Sequence, residues 1–257
     1  MNIKMYRIFF EIQKKHWWFV TKKRIVLDTI KRYSNGNDNT KVLDIGCGSG
    51  LMLNALEDVG QTYGMDMSDD AINFSKEIFN GKVEKGALPD QIPYEECFFD
   101  LITALDVIEH VDRDIDSLKA MRSCLVSGGK AVITVPAYMF LWSEFDEINE
   151  HKRRYTLTEL NTKLVQAGFT VEKISYYNTL LFPIVFAVRM LNNILKRDGA
   201  SDVDMPSRPI NFVLEKIFGI EKYLLKFVNL PFGVSVLAVV RNDNALQQTS
   251  NKGTKML

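Results

Sequence analysis

The chain has 257 residues, 46% of them apolar and 25% charged, the balance of one soluble core with room for an appended subdomain. Lys+Arg and Asp+Glu are both 32, so no global field draws nucleic acid and no nucleic-acid partner is expected. Cys47, Cys97 and Cys124 lack metal-binding spacing, and no uncharged run reaches the ~18–20 residues that cross a bilayer, so a cytoplasmic setting is expected.

In chain order, the N-terminus breaks its apolar residues with Arg7, Glu11, Lys14 and Lys15, which is not a signal-peptide plan. Residues 1–40 are expected to form a helical cap. From 41 onward short apolar runs alternate with helical periodicity. Strands are predicted at 41–45, 62–65, 82–85, 99–104 and 130–135, with helices between them, which implies a parallel sheet covered on both faces. Ser68 or Asp69 is a candidate N-cap for a helix at 71–79. Gly128 and Gly129 are expected to stop the helix before the fifth strand. A long aromatic and charged connection follows, until Thr156 and Glu159 form a capping box for a helix at 157–167. FTVEKISYY and GVSVLAVVRN read as strands six and seven, and 41–178 with 233–242 as the core. Residues 179–232 read as a helical insertion and 243–257 as a disordered tail.

The run KVLDIGCGSG, 41–50, carries most of the functional information. Gly46, Gly48 and Gly50 allow close approach of backbone to a ligand. A helix beginning near Leu51 would aim its first amides at that ligand. Asp66, at the end of the second strand, is placed to accept ribose hydroxyls. Dinucleotide loops read G-x-G-x-x-G, but here the third glycine comes one residue early and Asp44 precedes the loop. An acid there suits an ammonium and disfavours a diphosphate. A ligand with a ribose, a positive charge and no phosphate is S-adenosylmethionine (SAM).

VLDIGCGSG, YGMDMS, FDLITALDVIEHV and SGGKAVITVP together resemble the motifs of class I SAM-dependent methyltransferases, over 41 to about 242. The resemblance implies an α/β, Rossmann-like seven-stranded sheet of order 3-2-1-4-5-7-6 with strand seven antiparallel. It implies methyl transfer from SAM to a small-molecule or lipid/glycan-linked acceptor, with oxygen the expected target. The cofactor-binding residues it suggests are Asp44, Gly46, Cys47, Gly48, Gly50, Asp66, Met67, Ala87, Leu88, Leu105, Asp106 and Arg24. Ala87 stands where many relatives carry an acid facing the adenine, so adenine recognition would fall to backbone groups at 86–88. The alternative is a catalytically silent SAM-fold partner protein in a biosynthetic complex.

ALDVIEHVDR places Asp106, Glu109 and His110 past the end of strand four, the ligand-binding edge of such sheets. His110 could be the general base for a hydroxyl acceptor. Asp106, Glu109 and His110 could instead hold a divalent cation, as the similarity to E-x-x-E-H of quinone-biosynthesis O-methyltransferases implies. Or Glu109 and His110 could brace the loop. HWWFVTKKRIVLDTI resembles the aromatic helix ahead of the first motif in small-molecule methyltransferases, where an arginine reaches the methionine carboxylate; Arg24 matches it. Trp17, Trp18 and Phe19 could cover the site or be buried in an amphipathic helix. His151 is the second candidate base, and with Arg153, Arg154 and Tyr155 it could bind an anionic acceptor or form a solvated helix approach.

The helices expected within 179–232 carry a wide apolar stripe, from Ile210 to Val228 on the second. They could pack on the sheet or a partner subunit, or lie on a membrane as a peripheral contact. Arg189, Lys196 and Arg197, with Lys216, Lys222 and Lys226, could then face anionic headgroups. The segment from Arg208 to Arg241 also resembles the C-terminal part of bacterial methyltransferases linked to cell-surface glycan assembly.

Overall fold

A computed structural model describes residues 3–34, 39–195 and 205–243. Two helices, α1 (Ile3–Gln13) and α2 (Trp17–Tyr33), precede β1 (Lys41–Ile45). Then come α3 (Leu53–Leu56), β2 (Gln61–Asp66), α4 (Asp69–Ile78), β3 (Lys82–Lys85), β4 (Phe99–Leu105), α5 (Asp114–Cys124) and β5 (Leu125–Pro136). The chain continues through α6 (Glu144–Ile148), α7 (Leu157–Gln166), β6 (Thr170–Tyr177), α8 (Phe182–Leu195), α9 (Arg208–Leu224) and β7 (Ser235–Arg241). The seven strands form one sheet in the order 3-2-1-4-5-7-6, and β7 runs antiparallel to both of its neighbours. This is the class I methyltransferase arrangement the motifs implied.

Alternation along the strands divides the core between the two faces. Leu43, Ile102 and Ile133 point to one side, where Leu118 and Met121 of α5 and Leu160 and Leu164 of α7 cover them. Val42, Leu101 and Val132 point to the other, where Ile25, Val26 and Ile30 of α2 pack with Phe218 of α9. Helix α9 is therefore part of the core on that face, and Trp18 stacks on Phe218 with ring centroids 5.3 Å apart.

Local chemistry sets the helix starts. The Ser68 side chain accepts from the Ala71 amide, and Thr156 and Glu159 form the reciprocal capping box. Two expectations change. Helix α5 ends at Cys124 rather than at the glycines, because Leu125 already pairs with Phe99; Gly128, at φ +79°, lies inside β5. Helix α3 is one turn long and begins at Leu53, so the ligand-facing groups after β1 are those of the loop and not of a helix terminus. Lys196, Arg197 and the tail from 244 onward lie outside the described residues.

Candidate active site

At the ends of β1 and β4 an aspartate meets the loops, and each is held by a threonine on the neighbouring strand. Asp44 on β1 is paired in register with Thr103 on β4, whose hydroxyl donates to its Oδ1 at 2.6 Å. Asp106, just past β4, accepts from the Thr134 hydroxyl of β5 at 2.9 Å. Asp106 adopts φ +57°, the left-handed region, and its amide donates to the Thr134 carbonyl. The Lys22 ammonium of α2 pairs with its other oxygen. Burial works against the Asp106 charge, but Lys22 and Thr134 outweigh it and its pKa is lowered.

The glycine loop is closed tightly. Gly46 has φ +67°, and a Cβ there would lie 2.7 Å from Val107 Cγ2. Asp66 spans the loop: its Oδ2 accepts from the Gly48 amide and its Oδ1 from the Ser68 amide, each at 2.9 Å. Asp44 is 3% exposed, and burial, with the nearby Asp66 charge, pushes its carboxyl up to about 7 against the help of Thr103 and Lys22. The Cys47 thiol is likewise pushed up, mainly by burial.

A cavity of about 300 Å³ runs from this loop to the end of β4. Its walls include Asp44, Gly46, Cys47, Gly48, Leu105 and Asp106, joined by His110 and His151. Helix α1 contributes Tyr6, Phe9 and Gln13, and the Ser49 hydroxyl donates to Gln13 Oε1 at 2.5 Å. Helix α2 contributes Phe19, Lys22 and Lys23, the last donating to the Leu51 carbonyl at 3.1 Å. The structure brings His110 and His151 together edge to face, 4.7 Å between ring centroids. Asp66, Met67, Ala87 and Leu88 are not on the cavity wall, nor is Gly50; Ala87 is tied in a two-residue bridge to Gln91.

Glu109 sits in a 3₁₀ turn, Ile108–His110, with its side chain fully buried. Among the described residues neither of its carboxylate oxygens has a hydrogen-bond partner. Burial and the neighbouring Asp106 charge raise its pKa well above the ordinary value. A ligand atom from each of Glu109, His110 and His151 lies within 4.8 Å of the others. The trio that could hold a cation is thus completed by His151, and not by Asp106, whose oxygens Lys22 and Thr134 occupy.

Two further expectations are corrected, for Arg24 and for the cationic cluster, and Trp17 and Trp18 take the packing role, the second of their two readings. Arg24 donates to Glu215 of α9 at 2.5 Å and faces away from the cavity. Two residues are about 200° of helix, so Lys22 and Arg24 point to opposite sides. Trp17 and Trp18 are used in packing: the Trp17 amide donates to Asn211, and both rings meet Phe218. The cationic cluster is consumed internally. Arg153 pairs with Asp114, Arg154 with buried Asp146, and the Tyr155 hydroxyl donates to Asp114. Arg189 also turns inward and donates to the Leu141 carbonyl. Sequence reasoning missed Lys22 and Asp146; the signal for Lys22 was its helical phase with Phe19 and Val26, all three on the cavity wall.

The family model described as a methyltransferase domain matches residues 19–174, more than half of the chain. The chain belongs to the methyltransferase domain family. It is of the class I, SAM-dependent type, and SAM is its cofactor. The ubiquinone biosynthesis O-methyltransferase of Idiomarina loihiensis is 32% identical over 113 residues, 40% of this chain and 45% of that protein. Its namesake from Actinobacillus pleuropneumoniae serotype 5b is 27% identical over 149 residues, 54% and 58% of the two chains. The match thus spans about half the length of these curated relatives. A SAM-dependent methyltransferase from Archaeoglobus fulgidus superposes with a TM-score of 0.52 at 21% identity, covering 85% of this chain and 94% of that one, which shows the shared fold.

The residues present fit this cofactor. A buried Asp44, its carboxyl pushed up to about 7 mainly by burial, lines the cavity beside a loop that excludes a Cβ at Gly46. An ammonium group beside Asp44 would add to the partial counter-charge that Lys22 supplies.

Proposed function

We propose that this methyltransferase methylates a hydroxyl oxygen of a small-molecule acceptor. The observation that carries this reading is the continuity of one cavity from Asp44 and the glycine loop to the His110–His151 pair. SAM, when bound, supplies an activated methyl group on a cationic sulfur. Asp44, Lys22 and the loop amides would hold the methionine part. Asp66 retains acceptor capacity on both oxygens for a ribose, with Met67, Ala87, Leu88 and Gly50 toward the adenosine end. Little acid–base work is needed at the leaving group, so the protein mainly orients and desolvates the reactants. A hydroxyl acceptor must still lose its proton, and the two histidines are the groups at hand. The O-methyltransferase name of the relatives supports oxygen.

A second reading has one specific observation behind it. The buried, unpartnered Glu109 carboxylate, with His110 and His151, could hold a divalent cation that polarises the acceptor oxygen. The acceptor could also be lipid-linked. Phe212, Ile220, Tyr223 and Phe227 of α9 and the turn after it are exposed, the last at 86%, while no helix of the described residues is long and apolar enough to cross a membrane. A peripheral contact through 179–232 would bring such an acceptor to the protein.

Calorimetry with SAM, then transfer of labelled methyl to a panel of phenols, catechols and amines, tests the main reading. Methyl ethers are expected. Methylated amines alone would remove the oxygen assignment, and no SAM binding would leave only the silent-partner role. Loss of transfer on chelation, restored by added metal, would select the cation reading. Flotation with anionic vesicles, lost in Phe227→Glu, is the expected result for membrane contact.

A further inference from the structure

Behind the cavity wall stands a group that neither the motifs nor the relatives point to. Asp146, on α6, is fully buried. Its Oδ1 lies 2.7 Å from His151 Nδ1 and accepts from Arg154 Nε at 2.8 Å. Its Oδ2 accepts from Arg154 Nη2 at 2.8 Å and from the Ser143 amide at 2.9 Å. The Ser143 hydroxyl adds a longer contact at 3.3 Å, and Arg189 lies 4.0 Å away. Burial opposes the Asp146 charge, but the hydrogen bonds from His151 and Arg154 and the Arg154 charge prevail and hold its carboxyl at about 2. It is a carboxylate at neutral pH, and a carboxylate only accepts hydrogen bonds.

We propose that Asp146 is a positioning residue that fixes the His151 proton on Nδ1 and so makes Nε2 the general base for the acceptor hydroxyl. The role assigned to Nε2 rests on the methyl-transfer reading; the tautomer does not.

The chemistry follows from the contacts. With the proton held on Nδ1, a neutral His151 carries its lone pair on Nε2, the other nitrogen of a ring that lines the cavity. The acceptor O–H bond breaks with its proton passing to Nε2. The oxygen pair forms the new C–O bond, and the pair of the broken C–S bond stays on sulfur. One positive charge leaves sulfur and one appears on the imidazolium, which Asp146 already faces. The two histidines are not equivalent. Among the described residues His110 has no such carboxylate hydrogen bond, and burial and His151 lower its pKa. The His151 backbone is tied to that of Asp146 by an amide–carbonyl bond of 2.8 Å, and Phe145 meets the ring edge-on at 6.2 Å.

The chain has three histidines, so ¹⁵N-histidine labelling gives a spectrum simple enough to assign with His16→Gln and His110→Gln. At pH 8 the wild type is expected to show His151 with a protonated Nδ1 and a pyridine-like Nε2. A proton on Nε2, in either the neutral or the charged ring, overturns the proposal. In Asp146→Asn, provided its circular dichroism is native, the pattern is expected to shift toward the Nε2–H tautomer; an unchanged pattern overturns the positioning role. His151→Gln is expected to lower kcat about 10²–10⁴-fold on the best phenolic acceptor of the panel, with the Kd for SAM within about twofold. Wild-type kcat in that variant also overturns it. Failure of wild-type protein to bind SAM is a different result and strikes the underlying reading alone.

Discussion

Two buried aspartates serve this site in opposite ways. Asp44 lines the cavity, where burial and then the Asp66 charge push its carboxyl up to about 7 against one hydrogen bond from Thr103. Asp146 stands behind the wall, receives donors from Arg154, Ser143 and His151, and sits near 2. Both are inaccessible to bulk water, at 3% and 0% exposure. Burial alone therefore does not decide the charge; the count of donors does. An acid that the protein has saturated is structural and orienting. An acid that the protein has left short of donors is completed by something cationic that arrives later.

The largest effect that could break this contrast is on Asp146. Arg154→Met removes two charge-assisted hydrogen bonds of 2.8 Å and leaves the buried carboxylate with Arg189 only at 4.0 Å. The expected loss is about 3–5 kcal/mol of unfolding free energy in urea titration. The same experiment on Asp44→Asn, at pH 8, should show no loss and a gain in stability, since that substitution removes a charge the native state holds poorly. If Arg154→Met cost less than about 1 kcal/mol, Asp146 would not be the protein-satisfied member of the pair.

The two acids should also act in opposite pH windows. For Asp44 the folded pKa, about 7, lies above the ordinary value of ~3.9. Between these the native state binds more protons than the unfolded one, so stability falls as pH rises from about 4 to about 7, by up to about 4 kcal/mol. For Asp146 the folded value, about 2, is below the ordinary one. Its contribution is complete above about pH 4 and lost as the pH falls through 2. If, as proposed, SAM places its ammonium beside an ionised Asp44, its affinity should rise up to about tenfold per pH unit below 7 and level off above. Calorimetry from pH 5.5 to 8.5 reads this directly, and Asp44→Asn should flatten the curve. A flat wild-type curve would mean that Asp44 is not what SAM titrates.

These aspartates also mark how far the sequence could be read. Asp44 was legible because it precedes a glycine loop whose spacing is diagnostic; its threonine partner on β4, Thr103, was not. The Thr156 capping box was legible for a similar reason, as a short-range pattern, whereas the sheet order came only from the resemblance of four motifs to a known family. Asp146 was not. It lies in a connection without periodicity, and its meaning depends on Arg154 and His151 folding back onto it. The cluster of 151–155 was left as either an anion site or a solvated approach because nothing local showed that Asp114 and Asp146 already neutralise it. Arg24 was placed in the site by likeness to a motif, while the helical phase that puts Lys22 there depends on how α2 docks against the sheet and α9.

The smallest expected effect sharpens the contrast on α2 itself. Arg24 is exposed and its pair with Glu215 crosses to α9, so Arg24→Ala should cost no more than ~1 kcal/mol, and the Kd for SAM should not move. Lys22 is buried, lines the cavity and pairs with Asp106, which is held in the left-handed region by that contact and by Thr134. Lys22→Met removes a positive charge that faces the cofactor end of the cavity and frees Asp106 to repel a carboxylate there, so SAM should bind about tenfold more weakly, the effect of one lost charged hydrogen bond. Helix phase makes the two outcomes exclusive, since a rotation of α2 that brought Arg24 to the cavity would carry Lys22 away from Asp106. A weaker affinity in Arg24→Ala with none in Lys22→Met would therefore reverse the assignment of the whole helix face, Phe19 and Val26 included.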